Sequence, residues 1–241
     1  MFGQISASNV EVKNLQFTSV SLTGSSYVGT VAGYVTGANF KITNVKATGT
    51  VSGSSNVGGL VGYTSNTITI SGSSTGGTVT NGGENTGGLI GRTGSTATIT
   101  GSYSTSAVTG SSGQAGGLIG YAGTTNITNS YSSGTIKGSS SVGGLVGYKA
   151  SGTITTSYAT GNISGSTFVG GLAGSTSGAI SKSYASGNVT STQTSGTAYV
   201  GGLVGYNNAT ISDSYALGNI TVGGSSVTAV GGLLDRKSTR L

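Results

Sequence analysis

The sequence predicts an all-β fold, a right-handed parallel β-helix (β-solenoid) of about eight rungs with three short strands in each. Three observations predict it. A glycine-centred unit returns every 27–31 residues, branched apolar residues inside the unit keep a constant spacing, and no segment carries the Ala/Leu/Glu/Lys-rich pattern of a helical repeat.

The unit is clearest in Val57-Gly58-Gly59-Leu60-Val61-Gly62-Tyr63, Val142-Gly143-Gly144-Leu145-Val146-Gly147-Tyr148 and Val200-Gly201-Gly202-Leu203-Val204-Gly205-Tyr206, with looser copies from Val28, Thr86, Ala115, Val169 and Val230. A second block follows the first seven copies, as in Ile154-Thr155-Thr156-Ser157-Tyr158-Ala159-Thr160-Gly161-Asn162-Ile163. Its apolar ends, Ile42/Val51, Ile70/Val79, Ile99/Val108, Ile127/Ile136, Ile154/Ile163, Ile180/Val189 and Ile211/Ile220, are always nine apart, and only the connections outside the block vary. A stack of rungs requires this, because strands must keep register with the rung below while surface loops lengthen at little cost. About 29 residues suit one coil of three strands and are too few for a four-stranded propeller blade. Eight coils at roughly 4.8 Å make a rod of about 40 Å.

Comparing columns between repeats assigns Ser157, Ala159, Gly161 and Ile163 to the interior, with Tyr158 and Asn162 pointing outward between them. Lys46 shares the Tyr158 column, so that column faces water, and Tyr103, Tyr131, Tyr158, Tyr184 and Tyr215 are expected to form an external aromatic ladder. The tyrosine after the glycines (Tyr34, Tyr63, Tyr121, Tyr148, Tyr206) gives way to Arg92 and Ser175 and is expected to be exposed or at a corner.

Composition agrees with a repeat protein. Gly supplies 48 residues, Pro none, and only 6% of residues are charged, against roughly 25% in ordinary soluble domains. Spaced Val, Ile and Leu separate the chain from a flexible Gly/Ser linker. Cys and His are absent, which removes thiolate and imidazole metal sites, Cys nucleophiles and a Ser/His/Asp triad. The +6 formal charge is scattered over Lys13, Lys41, Lys46, Arg92, Lys137, Lys149 and Lys182, then bunched at Arg236, Lys237 and Arg240. A nucleic-acid binder would cluster its cations, so nucleic acid is not expected as a partner. No stretch approaches the roughly 20 apolar residues of a membrane span. The start has no signal-peptide pattern and reads as internal to a longer chain.

The four acids, Glu11, Glu84, Asp213 and Asp235, are too scattered for glycoside hydrolysis, which uses two carboxyl groups across one bond. Gly58-Gly59 with Gly62 has no Gly-Lys-Ser/Thr ending, so it is no phosphate loop. No catalytic residue, cofactor or metal site is expected. Asn-x-Ser/Thr sites at Asn126, Asn162, Asn188, Asn208 and Asn219 read as by-products of the repeat.

The two blocks, GGLxG followed by I-x-x-S-Y-x-x-G-x-V, resemble the GLUG repeat family over residues 28–234, after a degenerate N-terminal rung in residues 1–27. Residues 235–241 depart from the pattern as a non-repeat tail, similar to translated adapter sequence. The resemblance implies a repeat region of a large bacterial or archaeal surface protein, such as an adhesin or the non-catalytic part of a secreted peptidase. The expected function is therefore a structural stalk or adhesin segment, secreted or at the cell surface. Its expected partners are glycans or proteins, with the Tyr103 to Tyr215 ladder as contact surface. Bare terminal strands are expected to associate end to end. The outward Thr67, Thr69, Thr96, Thr98, Thr100, Thr153 and Thr155 leave an ice-binding solenoid as an alternative, and a substrate-positioning region of a secreted peptidase as another.

Overall fold

The computed structural model describes residues 1–194, 196–224 and 229–232, so the expected tail and the last Leu-Leu pair lie outside the described residues. The described residues hold 34 strands and no helix, and every strand pairing is parallel. The chain is an all-β solenoid of about eight coils, each bonded to the next.

One coil shows the plan. Ser141–Gly143 belongs to a first sheet of eight strands, one per coil. Val146–Ser151 lies in a second sheet, and Thr153–Thr155, Tyr158–Ala159 and Ile163–Gly165 form a broad third side. The second and broad sheets are continuous because Ile119–Thr128 passes the corner unbroken. Phe2–Ile5 and Glu11–Thr23 pair with Ala32–Val35 and Phe40–Gly53, adding a coil before the first glycine motif.

The broad side splits into segments where the sequence suggested one strand. The cause is a column in left-handed backbone: Asn44, Gly72, Gly101, Asn129, Thr156, Lys182 and Asp213, at φ of 48–56°. Such a residue turns its peptide out of the ladder and leaves a backbone N–H in need of an acceptor. The next residue supplies one. Ser73, Ser102, Ser130, Ser157, Ser183 and Ser214 each accept the N–H of the residue in the same column one coil earlier, at 3.0–3.2 Å. Each hydroxyl also donates to the carbonyl two residues before it, at 2.7–3.0 Å. The Ser column is thus interior, as its sequence column indicated, and its work is polar.

The interior is two cores. One joins the Leu60 and Val61 columns of the second sheet to the Ile68 and Ile70 columns of the broad sheet. The other joins the Val57 column of the first sheet to Val79, Val108, Ile136, Ile163 and Val189. Between them, the Gly-Gly corner presses into the middle of the broad sheet. A Cβ on Gly59, Gly88, Gly117 or Gly171 would stand 2.6–2.8 Å from a carbon of Thr75, Ser104, Ser132 or Ala185. That is closer than real side chains come, so the second glycine and the small column facing it fit only as a pair.

The other two motif glycines serve a second close approach. The first and second sheets lie against each other on their outer sides. A Cβ on Gly62, Gly91, Gly120, Gly147, Gly174 or Gly205 would fall 2.5–2.8 Å from a first-sheet backbone nitrogen one coil earlier. One on Gly58, Gly116, Gly143 or Gly170 would fall 2.5–2.7 Å from a second-sheet nitrogen one coil later. None of these glycines has positive φ. They are selected for lack of a side chain and not for backbone freedom.

These contacts rank glycine substitutions. Gly144→Ala, whose methyl would collide with Gly171 O and the Ala159 side chain, is expected to cost more than about 3 kcal/mol. Gly101→Ala, left-handed but with open space around it, is expected to cost about 1 kcal/mol. Chemical denaturation of the two variants checks the order, and equal losses would contradict the packing account.

Candidate functional site

The tyrosine column of the broad sheet is a continuous stack. Tyr103, Tyr131, Tyr158, Tyr184 and Tyr215 follow one another in register, with ring centroids 4.8, 4.9, 5.0 and 5.2 Å apart and planes within 5° of parallel. The rings are half-buried. Burial, then the neighbouring tyrosines, push the Tyr131 and Tyr184 hydroxyls above the ordinary phenol range, so they stay protonated as donors and acceptors. Because neighbours cover the ring faces, the row offers solvent its edges and hydroxyls. Beside it, Thr43, Ser71, Thr100, Thr128, Thr155, Ser181 and Ser212 form a hydroxyl column over seven coils. On its other flank Asn162 Oδ1 accepts Asn188 N and Asn188 Oδ1 accepts Asn219 N, both at 3.0 Å.

A second aromatic system lines the seam where the first and second sheets touch. The second-sheet column runs Gln4, Tyr34, Tyr63, Arg92, Tyr121, Tyr148, Ser175, Tyr206. The column lies within the strands of the second sheet and is half-buried at Tyr34, Tyr63, Arg92, Tyr121 and Tyr148. Exposure varies along it, from Ser175 at 7% to Tyr206 at 45%. Facing it, the first-sheet column runs Tyr27, Asn56, Asn85, Gln114, Ser141, Phe168, Tyr199. Rings meet across the seam at both ends, Tyr27 with Tyr34 and Tyr63 at 5.0 and 5.5 Å, and Tyr206 with Phe168 and Tyr199 at 5.6 and 5.7 Å. In the middle the first-sheet wall is polar. There Arg92 takes a tyrosine's place in the stack, its guanidinium 5.5 Å from the Tyr63 ring and 5.0 Å from Tyr121.

Lys149 lies inside the solenoid, 0% exposed, in a column held elsewhere by Val35, Thr64, Thr93, Ala122 and Thr176. Thr64 and Thr176 use their hydroxyls to close the corner into the broad sheet, bonding the carbonyls of Asn66 and Gly178 at 2.9 Å. Lys149 does the same with its amine, which donates to the carbonyls of Thr125 and, at 2.5 Å, Ser151. Sequence reading grouped Lys149 with the scattered surface cations. Its small and apolar column-mates were the signal that it points inward.

Burial pushes the Lys149 amine down from 10.5 to about 7. Between those values the unfolded chain holds a proton that the folded chain lacks, so stability is expected to rise with pH from about 7 to 9, by up to about 1.4 kcal/mol per pH unit. Below about 7 this contribution is flat. Lys149→Thr, which restores the column's usual residue, is expected to remove the slope in denaturation measured across that range.

The GLUG motif matches at residues 111–137 and 196–221. Each match runs from the connection before a first-sheet strand, through the Gly-Gly corner, to the broad sheet. No curated protein matches the chain, and no solved structure matches it. The chain thus carries the GLUG motif in two of its repeats, and its repeats are the coils of a parallel β-solenoid.

Proposed function

We propose that this chain is a non-catalytic repeat segment of a larger secreted or cell-surface protein, a stiff stalk whose broad side contacts glycans or proteins. The observation that carries the reading is the stacking in register. From the coil of Tyr27–Val28 onward, successive coils are bonded through all three sheets, and outward columns of hydroxyl and phenol run over seven and five coils. Such a rod resists bending and repeats one surface chemistry at each coil. The acids fit this role better than catalysis. Glu11 lies on the first coil, Glu84 leads into the fourth and Asp213 lies on the eighth, so successive acids are about 15–20 Å apart along the axis, beyond the roughly 5–9.5 Å of a carboxylate pair.

Contact with a glycan would use hydroxyls and ring edges of the Tyr103 to Tyr215 row, since the ring faces are taken. Phenylalanine separates that role from stacking. The triple variant Tyr131→Phe/Tyr158→Phe/Tyr184→Phe is expected to keep its melting temperature and lose binding to immobilised neutral glycans. Full retention of binding would restrict the segment to a spacer. The corresponding triple alanine variant removes four stacked contacts and is expected to lose about 1–4 kcal/mol in denaturation, at roughly 0.2–1 kcal/mol per pair.

A second reading, ice binding, draws support from the seven-coil hydroxyl column beside the tyrosines. The adjoining column, Thr69, Thr98, Asn126, Thr153 and Ala179, interrupts its threonines twice, which ranks this reading below the first. Thermal hysteresis of the purified protein would establish it, and ordinary freezing behaviour would exclude it.

A further inference from the structure

We propose that Arg92, clamped between Tyr63 and Tyr121 on the seam, is a recognition point for the carboxylate of an acidic polysaccharide. The site is on a different side of the coil from the Tyr103 to Tyr215 row and does not depend on it.

The guanidinium is held but not neutralised. Tyrosine rings stand on both sides of it at 5.5 and 5.0 Å, and this fixes its plane in the stack of rings. Its Nε is enclosed and has no hydrogen-bond partner among the described residues. Among those residues the terminal nitrogens likewise have no partner, and unlike Nε they are not enclosed. The ion pair present among the described residues is Lys13 with Glu11, nine strands away in sequence from Arg92. A planar fork of free N–H donors, pre-oriented and lacking a counter-ion, suits a carboxylate oxygen pair.

The surroundings select the kind of molecule that carries the carboxylate. Along the axis on either side of Arg92 the seam presents the half-buried Tyr63, Tyr121 and Tyr148, and across from them the half-buried amide of Gln114, while Asn56, Asn85 and Ser141 of the same wall are buried. Phenols on both sides of a single cation, with an amide facing them, match a sugar polymer with many hydroxyls and an isolated charge. A protein partner would call for exposed apolar anchors at the centre. The large exposed apolar side chains, Met1, Phe2, Leu15, Tyr27, Tyr206, Leu217 and Val230, all lie toward the ends of the stack. A nucleic acid would call for a line of cations along its phosphates, and the column holding Arg92 has a single one.

Arg92→Tyr is the decisive variant, because it completes the tyrosine column and removes the charge without opening a gap. Binding of the whole chain to immobilised polygalacturonate and to neutral dextran would be compared for wild type, Arg92→Tyr and Tyr131→Phe/Tyr158→Phe/Tyr184→Phe. The wild type is expected to prefer polygalacturonate, and to release it as salt is raised. Arg92→Tyr is expected to bind it about ten- to a hundredfold more weakly with an unchanged or higher melting temperature, while the triple phenylalanine variant keeps the preference. Equal binding of the two polymers by wild type, or undiminished polygalacturonate binding by Arg92→Tyr, would overturn the assignment. Loss only in the triple variant would place glycan contact on the broad side and also overturn it, leaving the stalk reading intact.

Discussion

The coils at Gly59, Gly88, Gly117, Gly144 and Gly171 can close only because the second glycine of the motif has no side chain, and in the coil before them Thr30 stands in its place. The corner it forms is driven into the middle of the broad sheet, against Thr75, Ser104, Ser132, Ala159 and Ala185, and against the carbonyl of the same glycine one coil on. From that contact follow the small residue in the facing column, the division of the interior into two cores and the meeting of the first two sheets on their outer sides. The nine-residue spacing of the Ile and Val columns follows as well. They flank the contact on either side and bury about 1.5–3 kcal/mol of apolar side chain each, so shifting either one would move it out of its core. The connections outside the block lie mostly at the surface and vary in length, with Ala198 alone among the described connection residues 192–198 entering a core.

Stacking in register also explains why so few residues are charged. Each side chain stands about 4.8 Å from its counterpart in the next coil, where two like charges repel by about 1 kcal/mol in water and several times more when partly buried. Ser, Thr, Asn and Tyr gain from standing over themselves, because each is donor and acceptor or stacks as a ring. The charges that are present avoid their own kind. Arg92 has tyrosines on both sides, Lys149 has Ala122 and Thr176, and Lys41 pairs in register with Glu11. Lys182 and Asp213 occupy successive coils of the turn column. A solenoid can thus be soluble on hydroxyls and amides, and an isolated cation becomes the exceptional feature of its surface.

Periodicity made the coil, its register and its inward columns legible in the sequence, because every repeat is an independent reading of the same environment. The Tyr103 to Tyr215 row was legible for the same reason, with Lys46 showing which way the column points. What could not be read was anything set by contact between columns that are far apart within a repeat. The glycines were legible as the recurring centre of the unit, but the surface that each approaches emerges only when the corner is placed against the broad sheet. The serine column was legible as interior, but not its polar work. One of its two hydrogen bonds is accepted from the preceding coil and the other is donated within its own turn. Lys149 was hidden by its residue type, since a lone lysine is ordinarily solvated and only its column-mates place it inside.

The repeat also determines where recognition chemistry can differ from one coil to the next. Within an unbroken aromatic column each ring covers the faces of its neighbours, so the interior members are equivalent and show only edges and hydroxyls. Such a column reads a ligand by repetition and has no unique point of attachment. Uniqueness appears where a column changes residue type: Tyr103, which follows Ser74 in its column, and Arg92 between two tyrosines. At the first the neighbouring position holds no ring, and at the second the exception brings a charge that the repeated chemistry lacks. The two kinds of position are complementary. The long columns set the direction in which an extended partner would lie, and the breaks set where along that direction it would stop.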